Sequence, residues 1–92
     1  MQRKPLIGVA LAVVLLLAAA PVKAEDIEGR IEALDPANQT LVVQGITFFA
    51  TPTTDYDDGL RSFADLELDQ KVEVDFVYRD GRHIATEIEL DE

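Results

Sequence analysis

From Ile27 onward the chain sets an apolar residue at every second position, and a period of two admits strands and little else. Ile27, Gly29, Ile31 and Ala33 alternate with Glu28, Arg30 and Glu32. Val72, Val74, Phe76 and Tyr78 alternate with Lys71, Glu73 and Asp75 on the partner side of the register. Between such runs stand turn signals. Asp35-Pro36-Ala37-Asn38-Gln39 combines a preset proline corner with an asparagine that tolerates left-handed backbone. Gln44-Gly45 makes a two-residue hairpin that sets Val43 opposite Ile46 and Leu41 opposite Phe48. Both pairs fall on one face, so turn length and apolar pattern agree. Three meandering strands are the expected result.

Pro52 ends the third strand, and Leu60–Leu66 has the spacing of a turn or two of helix, with Phe63 and Leu66 on one side. The last hairpin raises a choice of register. A two-residue turn at Asp80-Gly81 sets Val72, Val74 and Phe76 opposite Glu89, Glu87 and Ala85. That aims two carboxylates at the core, at a cost on the order of several kcal/mol. A three-residue loop, Arg79-Asp80-Gly81 with Gly81 left-handed in a bulge, instead pairs Phe76 with Ile84, Val74 with Thr86 and Val72 with Ile88. The longer loop is expected unless a second bulge near Thr86 repairs the register of the shorter one. The order of elements predicts an all-β, five-stranded OB-like barrel with one short helical turn between its third and fourth strands. An open sandwich of the same strands is the alternative.

The residues before these strands read as an address. Arg3 and Lys4 precede the apolar run Leu6–Ala20, Pro21 breaks it, and Val22-Lys23-Ala24 supplies small residues at a cleavage site. This is the layout of a secretory signal peptide cleaved after Ala24, and the run is shorter than the roughly 20 residues a spanning helix needs. The expected division is 1–24 signal peptide and 25–92 barrel domain, exported, periplasmic or secreted, and soluble after cleavage. No cysteine occurs, which removes both disulfides and lipid attachment at a lipobox. A domain of this size must then be stabilised by closing its sheet.

Charge excludes several partners. The chain carries 18 acidic and 8 basic residues. Every acid lies after Ala24, whereas only Arg30, Arg61, Lys71, Arg79 and Arg82 of the bases do. Nucleic acid is repelled by such a surface, and anionic membranes are disfavoured. Small ligands, peptides, envelope proteins and divalent cations remain as partners.

"DPANQTLVVQGI" (35–46), Thr54, "FADLELDQKVEV" (63–74) and "DGRHIATEIE" (80–89) give the chain a resemblance to a domain-of-unknown-function family of small secreted bacterial β-barrels with an OB-like layout. The resemblance covers roughly Ile27 to Glu89. That family usually has glycine where this chain has Asp69, which bears on the tightness of one turn. It implies the barrel and no catalytic residue.

Three constellations bear on chemistry. "TPTTDYDDG" (51–59) concentrates Asp55, Asp57 and Asp58, but it fits the calcium-loop template in neither register. A looser oxygen site is the alternative to a solvated connection, and the connection is the expected form. Catalysis is poorly provisioned: His83 and Ser62 are the single histidine and serine, and nothing brings them together. Carboxylates for glycoside hydrolysis are plentiful, yet so short a domain has little room for a cleft that excludes water. No enzymatic activity and no cofactor are expected. A binding surface is the stronger candidate. OB-type barrels hold ligands on the outer face of their second and third strands, flanked by loops. Here that face would carry Val42, Thr47 and Phe49, beside a local basic cluster of Arg79, Arg82 and His83. The competing role is an envelope structural or assembly protein that docks through a strand edge or apolar face.

Overall fold

The computed structural model describes residues 24–91. The expected leader, Ala24 apart, lies outside the described residues. Among these described residues six strands form, β1 (Glu25–Asp35), β2 (Thr40–Val43), β3 (Ile46–Phe49), β4 (Asp55–Asp57), β5 (Lys71–Arg79) and β6 (Arg82–Leu90), with one 3₁₀ turn at Phe63–Asp65. They lie in the order β3-β2-β1-β5-β6-β4, and a further β3–β6 pairing closes the first five into an OB-like barrel.

The meander forms as its turns dictate. Gln44 and Gly45 both take positive φ (52° and 74°), the two-residue hairpin geometry that matches strand twist. Val43 faces Ile46 and Leu41 faces Phe48. Leu41, Val43 and Phe48 are fully buried together with Val72, Val74 and Ile88. Leu60, Phe63 and Leu66 of the segment around the 3₁₀ turn also enter the core.

Four expectations are corrected. The 51–59 segment is not only a connection: Asp55–Asp57 is a strand, parallel to β6, with Asp55, Tyr56 and Asp57 beside Glu87, Ile88 and Glu89. Half-buried Tyr56 packs on the core and explains why so acidic a stretch docks there. Ala33 is exposed, because the β1–β2 ladder is irregular between Ile31 and Ala33 and Leu34 takes the inward position. Tyr78 lies beyond the end of the barrel and is 59% exposed. The last hairpin is the two-residue form. Arg79 pairs with Arg82 across Asp80 and Gly81, both at positive φ, and a bulge at Thr86 repairs the register. This solution wins because it returns Ile88 to Val74, brings Leu90 opposite Val72, and turns Glu87 and Glu89 outward. The three-residue loop would have buried the Thr86 hydroxyl against Val74 and left Leu90 unused.

Asp69, where the resembled family usually has glycine, sits at φ 68°. Aspartate tolerates this left-handed conformation, and the turn is fixed by Asp69 N–H donating to the Ile31 carbonyl (2.8 Å) and Arg30 Nη1 donating to the Asp69 carbonyl (2.8 Å). One glycine is demanded by packing. A Cβ on Gly29 would stand 2.9 Å from Val43 Cγ1 and 3.2 Å from Gln44 Cγ, where the Gln44 amide donates to the Glu28 carbonyl. Gly29→Ala should therefore lower stability by about 1–3 kcal/mol in a denaturant titration. A neutral or stabilising result would show that the β2–β3 hairpin does not press on β1 there.

Candidate functional site

The outer face of β2 and β3 is built by strand parity. Phe48 points into the core, so Thr47 and Phe49 point out, and Thr47 stands opposite Val42. Because β3 also runs beside β6, Phe49 lies next to Ile84. The Arg82 guanidinium sits 4.8 Å from the centre of the Phe49 ring. That cation–π contact is worth about 0.5–1 kcal/mol at an exposed site. Half-buried Val77 and Ile84, paired on the same outer side of β5 and β6, extend this apolar ground. The expected hairpin register turns Ile84 inward, which hides this pair in the sequence.

The six candidate residues separate into groups. Val42 and Thr47 share a rung, Phe49 and Arg82 touch, and Arg79 faces Arg82 across the hairpin. His83 does not join them. Its ring packs against Phe48 (5.8 Å), Phe76 (5.5 Å) and Tyr78 (5.0 Å), on the inner side of β6. The imidazole thus closes one end of the aromatic core, where Phe48 and Phe76 stand 5.0 Å apart.

The outer face of β1, β5, β6 and β4 carries a second surface. Register across β1, β5, β6 and β4 aligns Asp26, Asp75, Glu87 and Asp55 in one row, and Glu28, Glu73, Glu89 and Asp57 in the next. Arg30 and Lys71 pair one rung further along, and Lys71 meets Asp91 at 4.0 Å. Like charges directly opposite are destabilising in a sheet, and the carboxyl groups respond. Burial, then Glu89, Asp26 and Asp75, push Glu73 up. Burial, then Asp58, Asp75 and Asp57, push Glu89 up. Glu87 is pushed up to about 7, chiefly by a hydrogen bond with Asp57, then by burial and the surrounding acids. Away from this face the trend reverses: hydrogen bonds from Asn38 hold Asp35 low, and the Arg61 backbone N–H holds Asp65 low.

Asp55, Asp57 and Asp58 do not converge on a point. Among the described residues, Asp26, Glu73 and Asp75 form the acidic group whose oxygens lie within 4.8 Å of one another. Beside them a shallow depression of about 300 Å³ is lined by Ala24, Glu25, Asp26, Asp75 and Thr86. Among the described residues no helix is long and apolar enough to cross a membrane.

A closed five-stranded barrel with an added parallel strand and one 3₁₀ turn defines a small all-β domain of OB-like class. The chain belongs to the DUF5666 family, a domain of unknown function, which matches residues 28–89. No curated protein matches it in sequence. Among solved structures it is similar to apo-CusF from Escherichia coli, with a TM-score of 0.66 and 14% identity over 80% of this chain and 94% of that one. The Ag(I) form of CusF from Escherichia coli is similar at 0.65 and 14%, over 79% and 98% of the two chains. The fimbrial biogenesis protein PilY2 from Pseudomonas aeruginosa PAO1 is similar at 0.62 and 10%, over 75% and 88%. These likenesses establish a shared fold.

Proposed function

We propose that this domain is an exported binding module without catalytic chemistry, cleaved after Ala24 and working in the periplasm or outside the cell. Its ligand lies on the outer face of β2 and β3, where Val42, Thr47 and Phe49 form the platform and Arg79 and Arg82 its charged rim. His83 supports that rim from the inner side of β6. The observation that carries the reading is the Arg82 guanidinium seated over the Phe49 ring, which joins hairpin and platform into one surface. An aromatic face bordered by guanidinium groups suits a sugar, a peptide or an acidic group. The CusF structures of similar fold include one with Ag(I), but soft-metal chemistry favours thiolate and thioether ligands. This chain has no cysteine, its single methionine is Met1, and its one histidine is engaged in ring packing. A second reading, docking of an envelope partner, is favoured by the exposed Tyr78 beside the hairpin and by the fold shared with PilY2.

A thermal-shift screen against oligosaccharides, peptides and metal salts, run beside a pull-down from envelope extract, tests the proposal. A ligand at 100 times its Kd adds about 2.7 kcal/mol to stability, which is readily seen. Arg79→Glu with Arg82→Glu should weaken that binding, mostly through association rate and salt dependence. Calcium and sodium at matched ionic strength should raise the melting temperature equally, by screening alone. A ligand or partner retained at full strength by the doubly reversed variant would overturn the assignment of this face. A calcium-specific stabilisation would move the function to the acidic side.

A further inference from the structure

Basic residues are scarce on this domain, and two of them face each other without an acid for a partner. Arg79 and Arg82 pair across the β5–β6 hairpin, where like charges directly opposite weaken a sheet. Among the described residues neither guanidinium makes a hydrogen bond or an ion pair, and the contact Arg82 has is the Phe49 ring. Beside them an apolar row crosses four strands on the outside of the barrel. Thr40 pairs with Phe49, Phe49 with Ile84 and Ile84 with Val77, and all four are half-buried. Beyond that row on the same face stand Asp75 and, past the bulge, its partner Glu87. Outward residues therefore run Asp75, Val77, Arg79 along β5 and Glu87, Ile84, Arg82 back along β6. Each strand reads acid, apolar, base.

We infer that this face docks a second copy of the chain, sheet on sheet, about a two-fold axis along the Val77–Ile84 rung. The pattern dictates the symmetry. Rotation about that rung sets each strand antiparallel to its own counterpart and stacks the apolar rows on each other. Arg79 and Arg82 of each copy then lie over Asp75 and Glu87 of the other. The spacing suits this, because base and acid each stand about 7 Å from the rung, two residues along a strand. A two-fold axis parallel to the strands would instead lay arginine on arginine. The depression of about 300 Å³ lined by Glu25, Asp26, Asp75 and Thr86 borders the acidic end and has room for an arginine side chain. Charge complementarity selects a second copy over an unrelated acidic partner, since one face carries both halves of the pairing. The inference rests on the reading of the Arg79–Arg82 rim as a working surface and names its occupant.

Two opposing effects set the strength. Both copies are net acidic and repel at long range. At ~0.15 M ionic strength the Debye length is about 8 Å, so acids far from the contact are screened while the contacting pairs are not. The patch is small: four strands about 4.8 Å apart and three rungs about 7 Å apart cover a few hundred Å² per copy. That lies below the roughly 1,200 Å² in total at which stable interfaces begin, so the dimer is weak and reversible.

Sedimentation equilibrium at ~0.15 M salt, on the protein in the form isolated from its producing cells, tests the dimer. The weight-average mass should climb from the monomer toward twice that value between about 10 μM and 1 mM. Arg79→Glu with Arg82→Glu should raise the dissociation constant on the order of tenfold or more, and so should Asp75→Lys with Glu87→Lys. Mixed in equal amounts, the two variants should associate at least as tightly as the wild type, because each supplies the charge the other has lost. The mean charge of that mixture equals the wild type's, so recovery reports local pairing and not net charge. Should the lysine variant not fold, Val77→Glu breaks the centre of the contact and should leave a monomer. A wild type that stays monomeric at about 1 mM overturns the dimer. An arginine-reversed variant that associates like the wild type does the same, as does a folded mixture that stays monomeric. The binding reading fails separately. A ligand whose thermal shift disappears in the arginine-reversed variant, beside a monomeric wild type, keeps that reading and removes the dimer. A wild-type dimer whose ligands shift both proteins equally keeps the dimer and removes the reading.

Discussion

Phe48→Ala will lower stability by about 3–5 kcal/mol, whereas Phe49→Ala, one residue on, will lower it by about 1–1.5 kcal/mol. The two rings have the same composition and neighbouring backbone, so the difference isolates the face of the sheet. Phe48 has no solvent exposure and packs at 5.0 Å against Phe76 and 5.8 Å against His83. Its removal leaves a cavity that three elements cannot collapse to fill. Phe49 is half-buried and loses mainly its contact with Arg82 and part of its apolar shielding. A domain this small has total stability at the low end of the usual 5–15 kcal/mol, so Phe48→Ala should be largely unfolded at growth temperature. Chemical denaturation with near-ultraviolet dichroism reads both variants. Equal losses would mean that Phe49 is enclosed, and the proposed ligand platform would then not exist. A folded Phe49→Ala protein that no longer binds would support it.

The same pair of phenylalanines shows why the barrel is legible in the sequence. Turn length and period two act together at Gln44-Gly45, and each fixes the other, so the rungs Leu41–Phe48 and Val43–Ile46 follow without tertiary information. The final hairpin lacks that agreement. Asp80-Gly81 demands a two-residue turn, the apolar pattern demands a shift of one, and the bulge that reconciles them can sit at either end of the ladder. It settles at Thr86 because Leu90 then reaches the core, a gain that becomes visible only when the opposite end of β5 is known. β4 was illegible for a different reason. Its three residues are two aspartates and a tyrosine, and neither composition nor period marks them; what makes the strand is the open side of β6 beside it. The carboxylate rows were hidden by the same ignorance of register. Alternating acids are plain in β1, β5 and β6, but only cross-strand alignment, with β4 added, turns them into two continuous rows. For the candidate ligand face, parity placed Thr47 and Phe49 correctly outward. Placing Arg82 on the Phe49 ring required the β3–β6 closure, a contact between residues 33 apart in sequence that no local rule supplies.

Thr54→Val is expected to cost about 2 kcal/mol or more although it preserves the shape of the side chain, and the reason lies in the seam between β3 and β4. Along this edge of β6, pairing with β3 ends at Ile84 and pairing with β4 begins at Glu87. The Ala85 carbonyl falls in the gap between these two pairings, next to the bulge at Thr86. The buried Thr54 hydroxyl fills the vacancy, donating to the Ala85 carbonyl at 2.7 Å while accepting from Thr51 N–H at 2.8 Å. Valine removes both bonds at once and leaves an acceptor and a donor unpaired in a site with little water. Serine keeps the hydroxyl and loses one methyl, so Thr54→Ser should cost about 1 kcal/mol, in line with the loss of a single buried carbon. The order valine worse than serine runs against the hydrophobicity of the two side chains, which makes it diagnostic. Denaturant titration at constant m-value gives the two numbers, and amide exchange in β4 shows whether the loss is local. If valine proves as stable as threonine, the Ala85 carbonyl is satisfied by solvent and the seam is open. If serine is the worse of the two, the methyl group rather than the hydroxyl holds β4 in place.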